Sequence, residues 1–264
     1  MKIAVVTGAS SGMGREFVLQ LEQYITVDEI WVIARRGERL CELQGEVGAK
    51  IRPISLDLTE SESFTKYSTM LEEEKPEVSL LVNGAGFGKF GKFENIPLED
   101  SMKMIDLNCK ALVMMTELTL PYMHSGSKVI ELDSLSAFQP VPYITVYGAT
   151  KAFVLSYSRA MNQELAPRGI RVMSVNPGWV KTEFFEHAFT TNQSEIKYFN
   201  KIYEAKDVVA TALRDLYKTN KDVSMHGALI RWQTRLVKHL PHTLVMKVWM
   251  SQQKKPKNME QLTK

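Results

Sequence analysis

The chain has 264 residues, a formal net charge of +3, 24% charged residues and 44% hydrophobic residues. That length and ordinary composition suit one domain with a large single core, and no linker, repeat or low-complexity segment interrupts it. Cys41 and Cys109 are too few and too isolated for a disulfide framework or a metal site, and no apolar run is long enough to span a bilayer.

Met1-Lys2 opens straight into an apolar run, so no signal peptide is expected and a cytoplasmic location follows by default. Lys2–Thr7 (KIAVVT) is β-branched and lacks polar alternation, the pattern of a strand buried on both faces of a parallel sheet. It leads into Gly8-Ala-Ser-Ser-Gly12-Met-Gly14 and then a helical pattern over 12–22. Strand, glycine-rich turn and helix in that order predict a phosphate-binding turn. Glycines let the backbone approach closely, and the helix N-terminus offers free N–H groups and positive dipole. Short apolar runs recur at Glu29–Ala34, 50–56, 78–83, 128–134 and 170–176. They alternate with helical patterns over 36–44, 61–73, 97–122, 147–165 and Ala205–Lys218, with Pro97 in a first turn and Pro167 and Gly169 ending the helix before them. This alternation predicts a Rossmann-like α/β fold: a doubly wound parallel sheet in a three-layer α/β/α single domain.

Tyr147 and Lys151 stand four residues apart at the start of a helical pattern. They therefore share a face, and the ammonium can favour the phenolate, which is how a tyrosine becomes a proton donor or acceptor. Taken alone the pair is weak, because Tyr-x-x-x-Lys recurs on solvated helix faces. Ser134, thirteen residues earlier at the carboxyl end of a predicted strand, can face the same crevice.

The joint order of these motifs resembles the short-chain dehydrogenase/reductase (SDR) family. Thr7-Gly8-Ala9-Ser10-Ser11-Gly12-Met13-Gly14 resembles its cofactor turn, Asp57-Leu58 its adenine-side acidic position, and Asn83-Gly84-Ala85-Gly86 its Asn-Asn-Ala-Gly element. Asn108 matches the active-site asparagine of the long central helix, Ser134 the catalytic serine, and Asn176-Pro177-Gly178 the turn beside the nicotinamide. Val180 and Thr182 fall where the family binds the carboxamide, and 183–201 falls where relatives carry a substrate lid. The resemblance implies catalysis by Ser134, Tyr147, Lys151 and Asn108. Tyr147 would be the general acid, Ser134 a hydrogen-bond donor to the same oxygen, Lys151 a pKa-lowering neighbour that also binds the ribose, and Asn108 the holder of a water. A homodimer or homotetramer through the helices over 97–122 and 147–165 is implied as well.

Two positions depart from the family pattern. Gly84 replaces the second asparagine, and Asp133 replaces the serine before Ser134; strand alternation should turn Asp133 away from Tyr147 and leave Ser136 as the runner-up serine. For the cofactor, Ala34 stands where NAD-preferring relatives carry an aspartate, and Arg35 where NADP-preferring relatives place an arginine. A guanidinium suits a 2′-phosphate, and Ser10 and Ser11 can add hydroxyl donors, so NADP(H) is expected over NAD(H).

The expected activity is reduction of a ketone or aldehyde, with 3-oxoacyl and steroid-like substrates in range. The alternatives are an SDR-fold epimerase or dehydratase, or a catalytically idle NADP-sensing protein. Phe184, Phe185, Phe189 and Phe199 in the lid region suggest an apolar substrate. His187 has no nameable partner there and reads as a surface or lid residue. The final segment, 231–264, holds eight lysines and arginines against one acid, Glu260, and its apolar residues recur at helical spacing around Pro241. A helix that covers the substrate cleft or a subunit contact is the favoured reading over one that lies on an anionic membrane. Nucleic acid is not indicated.

Overall fold

The computed structural model describes residues 1–189 and 195–254. Among the described residues nine strands occur: β1 (Lys2–Thr7), β2 (Glu29–Ala34), β3 (Lys50–Ser55), β4 (Glu77–Asn83), β5 (Lys128–Leu132), β6 (Arg171–Val175), β7 (Trp179–Lys181), β8 (Ile202–Glu204) and β9 (Val223–Ser224). Ten α-helices accompany them: α1 (Gly12–Gln20), α2 (Gly37–Cys41), α3 (Ser61–Glu74), α4 (Leu98–Ile105), α5 (Ala111–Thr119), α6 (Thr145–Leu165), α7 (Phe184–Ala188), α8 (Ala205–Lys218), α9 (Ala228–Val237) and α10 (His242–Gln253).

Seven strands form one parallel sheet in the order β3-β2-β1-β4-β5-β6-β9, and β7 pairs with β8 apart from it. The alternation of β1 sets the layers. Ala4 and Val6 join Ile30, Val32, Leu80 and Val82 beneath Phe17 and Val18 of α1 and Val209, Ala212, Leu213 and Leu216 of α8. Ile3 and Val5 join Trp31, Ile33, Leu81 and Val129 beneath Phe64 and Leu71 of α3, Met115 of α5 and Met161 of α6. Every such aliphatic side chain taken fully out of water stabilises the fold by about 1.5–3 kcal/mol. The strand order reverses between β1 and β4, the place where an open α/β sheet offers a crevice beyond the carboxyl ends of its strands.

The helix expected over 97–122 runs without a gap from Leu98 to Tyr122 but is not uniform. α4 ends at Ile105, a π-helical turn spans Asp106–Lys110, α5 follows, and a 3-10 turn at Leu120–Tyr122 closes it. The π turn puts Asn108 at a local widening that apolar periodicity does not signal. β5 stops at Leu132, two residues short of the run expected over 128–134, so Asp133 and Ser134 lie beyond the regular pleat. α6 starts two residues before Tyr147, which therefore sits inside the first helical turn. Pro241 precedes α10 and separates it from α9, as the interrupted pattern of the basic segment implied.

Candidate active site

The turn after β1 is compact because two glycines lack a Cβ. At Gly14 a Cβ would stand 2.3 Å from the Gly8 carbonyl oxygen, and at Gly8, held at φ +69°, it would meet the Gly84–Ala85 peptide at 2.7 Å. The Thr7 hydroxyl accepts from the N–H groups of Gly84 (3.0 Å) and Ala85 (3.1 Å), stitching this turn to the one after β4. Ser11 occupies the N-cap of α1 without capping it through its side chain. The first N–H groups of α1 thus keep their donor capacity beside Thr182, whose methyl lies 3.3 Å from where a Gly12 Cβ would be.

The arginine that reaches this turn is Arg36. Its guanidinium donates to Ser10 Oγ (3.1 Å) and Ser11 Oγ (2.8 Å), and it also pairs with Glu183 at 2.8 Å. Arg35, the position expected to meet a 2′-phosphate, has a side chain 75% exposed and only a long 3.9 Å approach to Asp57. The turn out of β2 sends the two neighbours in different directions. Burial raises the Asp57 carboxyl, but hydrogen bonds from the Thr59 N–H and hydroxyl and the charges of Arg35 and Lys103 outweigh it and hold the group below its usual range. Leu58 beside it is buried.

Asn83 was expected to line the cofactor. Its amide is buried and donates to Thr116 Oγ1 (2.8 Å) and Glu131 Oε1 (3.2 Å), so the backbone of Gly84, Ala85 and Gly86 is what this segment presents to the crevice. Asn108 is likewise committed. Its Nδ2 donates to the Phe87 carbonyl (2.9 Å) and Thr150 Oγ1 (3.1 Å), and its Oδ1 accepts the Phe87 N–H (3.0 Å). Both amide hydrogens are used, so the side chain fastens the π turn to the loop after β4 and to α6.

Ser134, Tyr147 and Lys151 come together. The Ser134 hydroxyl lies near enough to the Tyr147 phenol to lower its pKa, and accepts the Ser136 N–H at 3.2 Å. Lys151 is buried, donates to the Leu132 carbonyl at 2.6 Å, and holds its ammonium 5.7 Å from the centre of the Tyr147 ring. Burial pushes the phenol above its ordinary pKa, the Ser134 hydroxyl pulls it back, and the charge of Asp133 adds to the rise. The Lys151 ammonium is lowered first by burial and raised by the charges of Asp133, Cys109 and Glu131. Asp133 does turn aside, accepting from Asn176 Nδ2 (2.6 Å) and Ser174 Oγ (3.0 Å); burial pushes its carboxyl up to about 7 against the pull of Lys151 and those hydrogen bonds. Ser136 is buried in the 3-10 turn Leu135–Phe138, and its hydroxyl has no partner.

The far wall is made by the residues after β6. The Leu135 N–H donates to the Pro177 carbonyl (3.0 Å), Gly178 passes between Leu135 and Ile230, and Val180 is buried with Ile230 and Tyr203 against Met13. Above Tyr147 the space is aromatic. Phe90 and Phe184 stand 5.7 and 5.6 Å from its ring, and Trp179, Phe185, Phe189 and Phe199 continue the cluster. Trp249 of α10 closes it by donating to the Pro142 carbonyl at 3.0 Å. The C-terminal helices therefore pack beside this cluster, through Ile230 of α9 and Trp249 of α10. Phe90 and Trp179 were not singled out from the sequence; Phe90, four residues past Gly86, was the most findable. His187 is exposed on α7. Of the proposed lid, 190–194 lies outside the described residues, as do Lys255, Lys257, Glu260 and Lys264 of the basic segment. Among the described residues no group of three or more His, Cys, Asp or Glu could hold a metal, and no helix is long and apolar enough to cross a membrane.

A family model described as short chain dehydrogenase matches residues 2–193. An uncharacterized oxidoreductase of Staphylococcus epidermidis is 33% identical over 187 residues, covering 70% of this chain and 80% of the relative. Serine 3-dehydrogenase of Rhizobium radiobacter is 33% identical over 185 residues, 68% of this chain and 72% of the relative. The solved structure of a short-chain dehydrogenase from Sphingobium yanoikuyae in complex with NADPH superposes with a TM-score of 0.75 at 25% identity, over 91% of this chain and 97% of that one.

Proposed function

The chain belongs to the short-chain dehydrogenase family, and within it we propose an NADP(H)-dependent reductase that converts an apolar ketone or aldehyde to its alcohol. The observation that carries this reading is the meeting of three side chains: the Ser134 hydroxyl stands close enough to the Tyr147 phenol to lower its pKa, and the Lys151 ammonium lies 5.7 Å from the tyrosine ring.

The residues fit a dinucleotide. The uncapped start of α1 and the Gly8–Gly14 turn can receive a pyrophosphate; Asp57, Leu58 and the Gly84–Gly86 backbone flank the adenosine side; Pro177, Gly178, Val180 and Thr182 flank the nicotinamide side. Arg36 with Ser10 and Ser11 forms a donor set for a 2′-phosphate, which favours NADP(H) over NAD(H). The bound cofactor would supply the hydride.

The chain's own groups handle the proton. Burial keeps Tyr147 protonated at neutral pH, the state a general acid needs before an alkoxide develops. Ser134 already accepts from the Ser136 N–H, which leaves its own proton to stabilise the same oxygen. Lys151, fixed by Leu132, retains two N–H donors for a ribose hydroxyl. The aromatic cover of Phe90, Phe184 and Trp179 excludes water and selects apolar substrates. Leu98, Met102 and Ile105 of α4 and Phe153 of α6 are exposed, which supports association of copies through these helices in the cytoplasm.

The test is NADPH oxidation measured against a panel of ketones and aldehydes graded in size, with alcohol recovered in equal amount. Consumption of substrate without net NADPH oxidation would refute a reductase.

A further inference from the structure

Three consecutive residues cross the crevice from one end to the other. Thr182 packs on Gly12, Glu183 reaches the arginines beside the glycine turn, and Phe184 lies on the Tyr147 ring. The Glu183 carboxylate receives Arg36 at 2.8 Å and Arg39 at 2.6 Å. The same Arg36 guanidinium holds Ser10 and Ser11, the hydroxyls that complete a phosphate-monoester donor set. A carboxylate and a ribose phosphate are competing anions for one guanidinium, since either can take its planar donor fork and the two repel each other.

We propose that Glu183 is a cofactor-specificity residue that stands in for the 2′-phosphate and links its arrival to the release of Phe184 from Tyr147. The proposal rests on the NADP(H) reading above and adds a residue and a coupling to it. A 2′-phosphate that engages Arg36 displaces the neighbouring carboxylate. Because Glu183 is the residue immediately before α7, losing its two ion pairs frees the start of that helix. Phe184 is the first residue of α7, so its contact with the catalytic ring loosens in the same event and uncovers the space above the phenol. NAD(H), which presents a 2′-hydroxyl at that position, leaves the ion pairs in place. The cost of displacement falls on NADP(H) alone, so the native carboxylate weakens a preference that Arg36 creates.

The ion pairs are partly exposed, with Glu183 at 33% and both arginines at 42% side-chain exposure. Pairs of this kind are individually modest, so the expected effect is a change of about three- to tenfold in affinity rather than an on–off switch.

The experiment measures dissociation constants for NADP+ and NAD+ by calorimetry in wild type, Glu183→Gln and Arg39→Gln. It adds amide hydrogen exchange over 184–189 with each dinucleotide. Glu183→Gln should bind NADP+ about three- to tenfold more tightly with NAD+ unchanged. Arg39→Gln, which removes one pair and leaves Arg36 intact, should shift the same way by less. In wild type NADP+ should accelerate exchange over 184–189 and NAD+ should not; in Glu183→Gln the exchange should be fast before any cofactor is added. Equal shifts for both cofactors, or exchange that ignores the 2′-phosphate, would overturn the role of Glu183 while leaving the NADP(H) reading standing. A wild type that binds NAD+ more tightly than NADP+ would instead overturn that reading, and this proposal with it.

Discussion

Phe184 rests against Tyr147 with ring centroids 5.6 Å apart and planes tilted by 56°. The phenol is thereby walled from water on the side where an apolar substrate would enter, and the nearby Ser134 hydroxyl favours its anion. An acid held this way keeps its proton until negative charge develops next to it, which suits reduction.

Removing that proton donor separates chemistry from binding. Tyr147→Phe keeps the ring that Phe90 and Phe184 pack on, so the fold and NADPH affinity should hold while kcat falls by about a hundred- to ten-thousandfold. Ser134→Ala should cost about a hundredfold or more, by removing one donor to the developing alkoxide. Single-turnover kinetics alongside a cofactor titration provides the check. A Tyr147→Phe enzyme of near-normal kcat would take the phenol out of the mechanism.

The neighbouring arginines should behave unequally. Arg36 makes the hydrogen bonds to Ser10 and Ser11, whereas Arg35 is 75% exposed with one long approach to Asp57. Hydrogen bonds to a charged group are worth about 1.5–3 kcal/mol, so Arg36→Ala should lower the NADPH-over-NADH preference by about tenfold to a hundredfold. Arg35→Ala should change it only a few-fold by loss of general charge. The ratio of kcat/KM for the two cofactors decides, and a larger loss at Arg35 would return the phosphate to the position expected from the sequence.

How much of this was legible beforehand depended on how local each signal is. Lys2–Thr7 and Glu29–Ala34 read correctly because a strand buried on both faces leaves an unbroken apolar run. The π turn at Asn108 did not, because it is held by hydrogen bonds from Asn108 to Phe87 and Thr150, which lie in other elements. Ser134 and Tyr147 were placed from their spacing. The commitment of the Asn83 amide to Thr116 and Glu131 depends on side-chain direction in three separate elements. Glu183 with Arg36, and Trp249 with Pro142, join residues more than a hundred positions apart, and nothing local marks them.

Glu131 gives stability a distinct pH dependence. It is fully buried; burial raises its carboxyl to about 8, opposed by Asn83, Thr116 and the charge of Lys151. A carboxyl raised in the folded state binds more protons folded than unfolded, so stability falls as pH climbs from the unfolded value near 4.5 to about 8 and is flat beyond. Glu131→Gln keeps an oxygen to accept from Asn83 and Thr116 and removes the charge. The variant should match wild type in acid and exceed it at high pH, by a Tm difference of about 2–4 °C per kcal/mol of relieved desolvation. Thermal denaturation across pH tests this, and a difference that shrinks with rising pH would contradict it.

Gly88 should prove as sensitive as a catalytic residue without touching a proton. A Cβ there would lie 2.8 Å from Tyr147 Cδ2 and 3.0 Å from both Phe184 Cζ and Phe90 Cε1, three rings that already pack on one another. Real Cβ contacts are not that short, so Gly88→Ala must push the phenol off the Ser134 hydroxyl or tilt Phe184. Misplacing a reacting group by about 1 Å can cost a hundredfold, and kcat should drop by about that factor. The glycine turn and Arg36 are elsewhere, so NADP+ affinity should stay within about twofold of wild type. Truncating the ring in the same chain, Gly88→Ala with Phe184→Ala, should recover part of the lost rate by making room for the methyl. Failure of the double variant to recover any rate would place the effect in the loop backbone instead of in the packing over Tyr147.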